Sequence, residues 1–152
     1  MSSAQRVWQL PRRDRILLLE AILWLAAARF AIALLPFRYV GSLAAISVRR
    51  PELPQEKRMV EARRIRWVII TCARRVPWRA LCFEQGLAAQ LMLRRRGVPS
   101  VLYYGAASDT KGGLAAHVWV RDDEVDIVGG EFASRFAVLA TFPRQNGRSP
   151  SN

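Results

Sequence analysis

Apolar residues recur at helical spacing in three long stretches of the chain, residues 16–35, 55–75 and 81–98. Nearly every position of the first stretch is apolar until Pro36, so it has too little polar face for a free surface helix. We expect one or two helices there that are buried in the fold or dock a partner. In the second stretch the apolar stripe consists of Met59, Ala62, Ile65, Ile69 and Cys72.

The third stretch reads as one helix that begins at or beside Cys82. Leu87, Ala88 and Leu91 form its apolar face. Three arginines occupy its last turn, where positive charge suits the negative end of the helix dipole. Gly97 follows where a helix-ending glycine belongs, and a nearby proline prevents the helix from resuming.

Strand composition replaces the helical pattern after residue 99. Residues 100–106, 114–120 and 125–128 read as strands, separated by a polar, glycine-rich loop and by an acidic turn. Alternation in the second strand puts His117 and Trp119 on one face. The opposite face is formed by Leu114, Ala116, Val118 and Val120. Helices followed by a small antiparallel sheet predict the α+β fold class.

The length of 152 residues predicts one domain with a helical appendage. We expect residues 1–50 to form an apolar helical subdomain that docks a partner, and residues 51–142 to form the main domain. Residues 49–54, with their prolines and charges, predict a linker, and residues 37–47 predict a turn and a short helix. Residues 143–152 are typical of a disordered tail.

The net charge of +12 suggests an acidic partner, nucleic acid or an anionic membrane. The arginines are scattered and lack interleaved stacking aromatics, which favours solvated surfaces over nucleic-acid binding. Glu20 and Arg29 interrupt the first apolar stretch, and each would cost about 2.5–3.5 kcal/mol near a bilayer centre. A spanning helix is therefore disfavoured, while peripheral membrane contact stays open.

The cysteine content indicates reduced thiols in a cytoplasmic protein. Cys72 and Cys82 provide neither a disulfide framework nor the spacing of a zinc site, and we expect no cofactor and no metal. Cys72 falls on an apolar stripe, as a buried structural cysteine does. Cys82 lies at a helix start, where exposed N–H groups and the positive dipole end favour a thiolate. Cys82 is therefore the candidate nucleophile.

His117 is the only histidine in the chain, and the predicted hairpin brings a carboxylate toward it. If Asp122 and Asp123 form the hairpin tip, Trp119 lies opposite Asp126. Asp126 then shares a face with His117 as its diagonal neighbour, about 7–8 Å away at the backbone, a gap that side chains can close.

These residues together predict a Cys–His–Asp triad. The Cys82 thiolate would attack a carbonyl carbon, His117 would keep the thiol ionised and then protonate the leaving amine, and Asp126 would orient the ring. The Cys82 backbone N–H is the natural oxyanion donor. A register shift of one residue would put Asp123 or Glu124 in place of Asp126. A core histidine and a solvated hairpin aspartate remain the alternatives.

The order of these motifs resembles a known family. A cysteine-headed helix ending in LMLRRRGVP, a strand, a glycine-containing loop, AHVWV and VDIVGGE are similar to the stand-alone leader peptidases of lasso-peptide biosynthesis, the B2 proteins. These belong to the transglutaminase-like (papain-like) cysteine protease superfamily. The resemblance covers residues 74–131. It implies a cysteine helix packed on a small antiparallel sheet that carries the histidine and the aspartate.

The resemblance also implies a function and partners. The chain would be a cysteine endopeptidase that removes the leader of a ribosomal lasso precursor before a separate cyclase closes the macrolactam. A separate B1-type recognition protein would bind the leader, and the cyclase is a further candidate partner. Three alternatives stay open: an acyltransferase, a non-catalytic scaffold of the same fold, and a basic protein associated with membrane or nucleic acid.

Overall fold

The computed structural model describes residues 9–45, 51, 53–108, 112–123 and 125–144. The expected frayed start, the linker and the tail lie wholly or partly outside these residues. The helices are α1 (Arg12–Leu34), α2 (Phe37–Ala45), α3 (Gln55–Ala73) and α4 (Cys82–Arg95). The strands are β1 (Val101–Ser108), β2 (Leu114–Asp122), β3 (Val125–Val128) and β4 (Ala137–Phe142), with a 3₁₀ helix at Gly130–Arg135.

The first apolar stretch forms a single helix, α1, with one buried face. That face consists of Leu17, Leu18, Ala21, Leu25 and Ala28. It packs on α3 and α4 and belongs to the same core as the interior residues of the sheet. The division of the chain at residue 50 stays a prediction. By length and composition, α1 is the one helix in the described part of the chain that is long and apolar enough to cross a membrane.

The second apolar stretch forms α3, and most of its predicted stripe is confirmed. Ile65 and Ile69 are fully buried, and Cys72 is 3% exposed, as expected for a structural cysteine. The prediction that Met59 belongs to the buried stripe is wrong, since its side chain is 41% exposed. Val68 is buried instead, because the core begins only one turn into α3.

The sheet is antiparallel, with strand order β3-β2-β1-β4. The three predicted strands are present, whereas β4 has no counterpart among them. Val118 and Val120 of β2 and Leu102 of β1 face the main core with α4. Trp119 points to the other face, where its ring stacks on Tyr103 at 5.5 Å between centroids. The predicted alternation along β2 is therefore confirmed.

The predicted register of the second hairpin is wrong. Asp122 pairs with Val125, and Arg121, not Trp119, lies opposite Asp126. Asp122 is thus part of the strand ladder, and the turn follows it. Asp123 adopts a left-handed conformation at φ 51°, which aspartate tolerates in turns. The fold class nevertheless agrees with the prediction: an α+β domain whose cysteine helix packs on an antiparallel sheet.

Candidate active site

Cys82 is the first residue of α4, and its side chain is partly buried. Leu81 before it is extended, so the chain turns sharply into the helix at this point. The Leu81 N–H donates to Glu84 Oε2 at 3.0 Å, and Gln85 Nε2 donates to the Ala80 carbonyl at 2.8 Å. Two side chains of the first turns therefore hold the loop that leads into Cys82.

Glu84 connects this helix start to the N-terminal helix α1. Its side chain is 3% exposed, and Oε1 accepts a hydrogen bond from Arg29 at 3.0 Å. A buried carboxylate needs such partners, because removing an unpaired charge from water is costly. Arg29, which interrupts the apolar stretch in the sequence, thus has a structural role beside the candidate nucleophile.

Gly86, one turn after Cys82, lies where α4 packs tightly against β2. A Cβ built on Gly86 would lie 2.6 Å from Val118 Cγ1, well inside van der Waals contact. Only glycine therefore lets the cysteine helix lie this close to the strand that carries His117.

His117 is oriented by a backbone carbonyl. Its Nε2 lies 2.7 Å from the Gly129 oxygen. A carbonyl only accepts hydrogen bonds, so Nε2 must carry the proton. In the neutral ring Nδ1 is then the basic nitrogen, as a general base requires.

Only glycine fits at position 129 without strain. Its φ is +77°, and a Cβ there would lie 2.6 Å from the Val118 oxygen. The side-chain pattern of the sequence does not point to this residue, because a backbone carbonyl has no side-chain signature. The Gly129-Gly130 pair directly after β3 was the available signal, since adjacent glycines mark close backbone approach.

Three aromatic rings surround the imidazole. Phe136 lies 5.0 Å from it between centroids, and Trp119 and Phe132 each lie 6.1 Å away. Phe132 and Phe136 follow β3, in and just after the 3₁₀ helix, a segment for which the sequence pattern predicted no element. These rings and the Gly129 carbonyl fix the position of the imidazole.

The predicted carboxylates have other partners than His117. Asp126 forms an ion pair with Arg121, directly across the β2–β3 ladder. Asp123 lies 3.2 Å from Arg58, and Glu124 lies outside the described residues. The geometric argument for Asp126 depended on the wrong register, so its catalytic role stays a prediction.

Glu131 is a carboxylate near His117 that the sequence reasoning overlooked. A hydrogen bond from Arg66 is the main cause that lowers the pKa of Glu131, and the electrostatic interaction with His117 contributes a smaller lowering. His117 therefore has one charged neighbour that arises from the 3₁₀ helix, not from the predicted hairpin.

No hydrogen bond joins Cys82 to His117 in the described part of the chain. Val118 faces α4, so alternation along β2 turns the adjacent His117 toward the other face. The structure thus places the candidate nucleophile and the candidate base on elements that pack together, with no hydrogen bond between the two described side chains.

Cys82 differs from the other cysteine of the chain in burial. The residues that the structure describes contain no group of three His, Cys, Asp or Glu side chains able to hold a metal ion. Burial raises the pKa of the Cys72 thiol to about 11, which keeps it protonated near neutral pH. Cys82 is therefore the thiol available for nucleophilic chemistry.

Comparison with known proteins identifies the fold family. The model of the transglutaminase-like superfamily matches residues 22–141, well over half of the chain. No curated protein and no solved structure matches the chain. Membership is compatible with cysteine-protease or acyl-transfer chemistry. The chain belongs to the transglutaminase-like superfamily.

Proposed function

We propose that this protein is a cysteine endopeptidase that removes the leader from a ribosomal lasso-peptide precursor. The observation that carries the proposal is Cys82 at the start of α4, where Glu84 and Gln85 hold the preceding loop. A thiol at a helix N-terminus has N–H groups nearby that favour the thiolate and stabilise an oxyanion. The resemblance of the cysteine helix and the AHVWV strand to leader peptidases supplies the substrate class.

The reaction uses protein groups and water alone. The Cys82 thiolate attacks the scissile carbonyl carbon, and the Cys82 N–H binds the oxyanion. His117, protonated on Nδ1 by the thiol, donates that proton to the leaving amine, and a thioester remains on Cys82. His117 then accepts a proton from water, which attacks the thioester and releases the leader carboxylate together with the free thiol.

This mechanism requires Nδ1 of His117 to reach the Cys82 thiol. Because His117 lies beside Trp119 on the face of the sheet away from α4, its side chain must turn toward Cys82 when the substrate complex forms, and the proposed mechanism depends on that movement. In the proposed mechanism the precursor and a separate B1-type recognition protein act together on the site, and a lasso cyclase takes the product. All of these components would meet in the cytoplasm, where the thiol stays reduced.

The test is a cleavage assay with purified precursor and recognition protein, read by mass spectrometry. Hydrolysis adds water across one peptide bond, so the product masses sum to the precursor plus water. Cys82→Ala should abolish cleavage, whereas the matched Cys72→Ala variant should retain it if it folds. Transfer of the leader acyl group to an added amine would instead favour the acyltransferase alternative. Cleavage by Cys82→Ala would refute the peptidase assignment.

A further inference from the structure

The outward side of α1 carries a row of exposed apolar side chains, here called the α1 stripe. Its members and their exposures are Ile16 55%, Leu19 63%, Leu23 70%, Phe30 63% and Leu34 75%. Helical spacing puts them together, opposite the face that packs on α3 and α4. A continuous apolar row of this length on a charged protein indicates an interaction surface.

An apolar groove between α1 and α3 continues the α1 stripe. The groove has a volume of about 740 Å³ and is lined by Ile16, Leu19, Ile22 and Trp67, with Arg12 and Arg75 among its polar residues. Trp67 is 44% exposed. An apolar groove with cationic groups beside it suits a hydrocarbon chain that bears an anionic head group.

The charges around the α1 stripe are positive. Its acidic neighbours are already paired, Asp14 with Arg64 at 3.1 Å and Glu20 with Arg96. Arg12 begins the helix and is exposed, and an exposed Arg38 follows the far end of α1. The net charge of +12 has the same sign. The surface therefore combines an apolar row with basic ends, which suits contact with the acyl chains and the anionic head groups of a membrane interface.

We propose that the α1 stripe and its groove dock this protein peripherally onto an anionic phospholipid surface. The helix lies along the membrane instead of crossing it, because Ala21 and Leu25 are fully buried in the protein core. If α1 crossed the membrane, it would have to leave the protein core and expose the residues that it now covers. Lipid binding does not use Cys82 or His117, so it stands independently of the proposed peptidase activity.

The test is flotation of the full-length chain with vesicles of phosphatidylcholine and phosphatidylglycerol, compared with vesicles of phosphatidylcholine alone. We expect binding to the anionic vesicles only, weakening as salt rises. Each charge near an anionic surface contributes about fivefold to binding, so Arg12→Glu should weaken it about 30-fold. Leu23→Glu should weaken it about tenfold or more, because it puts a charge into the apolar contact.

Two matched control variants carry the same kinds of substitution, Arg to Glu and Leu to Glu, at exposed positions outside α1. Arg135→Glu alters the charge equally on the 3₁₀ helix, and Leu139→Glu replaces an exposed leucine of β4. Both should bind vesicles as the parent chain does. Equal weakening in the controls, or equal binding to neutral vesicles, would overturn the proposal. The proposal would also fail if the chain did not bind vesicles but formed a dimer that Leu23→Glu abolishes, because the α1 stripe would then bind a second copy. It would fail as well if only detergent, and not high salt, released the protein from the vesicles, because that would indicate a spanning helix.

Discussion

The contact between Gly86 and Val118 predicts an unusual response to a glycine-to-alanine substitution. On a solvated helix face, replacing glycine by alanine stabilises a protein by about 1 kcal/mol. At Gly86 the new Cβ would lie 2.6 Å from Val118 Cγ1, whereas carbon atoms prefer about 3.5–4.0 Å. The helix or the strand must therefore shift by roughly 1 Å.

The energetic outcome follows from two opposing effects. Overpacking of a filled core costs about 1–3 kcal/mol, and the gain in helix propensity returns about 1 kcal/mol. Gly86→Ala should therefore lower the free energy of unfolding by up to about 2 kcal/mol, with a fall in Tm of about 2–4 °C per kcal/mol for a domain of this size. Val118→Ala removes the atom in conflict. In that background, Gly86→Ala should stabilise the protein by about 1 kcal/mol.

The assay is urea denaturation of the parent chain, the two single variants and the double variant. The sign of the Gly86→Ala effect should reverse between the two backgrounds. A shift of α4 would also move Cys82 relative to β2, so precursor cleavage should fall by about 100-fold in kcat/KM, and the second substitution should restore part of it. If Gly86→Ala stabilises the parent chain by the full gain in helix propensity, the inferred packing of α4 on β2 is refuted.

Three further predictions concern Gly129, Glu84 and Glu20. Gly129→Ala should displace the carbonyl that orients His117 and cost roughly 1–3 kcal/mol, since alanine is strained at φ +77° and its Cβ meets the Val118 oxygen; an unchanged Tm and unchanged cleavage would contradict this. Glu84→Gln should lower the free energy of unfolding by about 1–3 kcal/mol in urea, because a buried charge-assisted contact is lost. The exposed Glu56→Gln should cost less, about 0.3–1 kcal/mol, because it removes only a charge from the first turn of α3. Burial raises the pKa of Glu20, but the hydrogen bond and charge of Arg96 and the charge of Arg95 outweigh it and hold that pKa below 4.5. Its stabilising contribution is thus present above pH 4.5 and lost as the pH falls below that, so Glu20→Gln should reduce the acid sensitivity of Tm; an unchanged acid slope would count against it.

The helices were predictable because their signals are local. The apolar spacing from Ile65 to Cys72, the glycine after α4 and the proline after α1 each fix a boundary or a buried face. The α+β class followed from the change of period near residue 99.

The details of the site were not predictable from the same signals. The register of Asp126 is set where the turn closes, at the Asp122–Val125 pair, and the sequence pattern did not show that the ladder extends that far toward the turn. The hydrogen-bond partner of His117 is the backbone carbonyl of Gly129. Because every residue has a backbone carbonyl, the sequence does not reveal which one His117 contacts. Asp126 was placed near His117 through a register that the Asp122–Val125 pair excludes. Alternation identified which residues share a face of β2, but only packing shows that α4 covers the face of Val118.

Alkylation tests most directly whether Cys82 is the nucleophile of peptide hydrolysis. The native protein is treated with iodoacetamide near neutral pH, and the fraction of each cysteine modified is compared with the remaining cleavage of the precursor. Cys72 should stay unmodified, because it is buried and its pKa is raised to about 11. We predict that activity falls in proportion to the alkylation of Cys82 and reaches zero when every chain carries one adduct there. Full cleavage by protein whose Cys82 is completely alkylated would contradict the account.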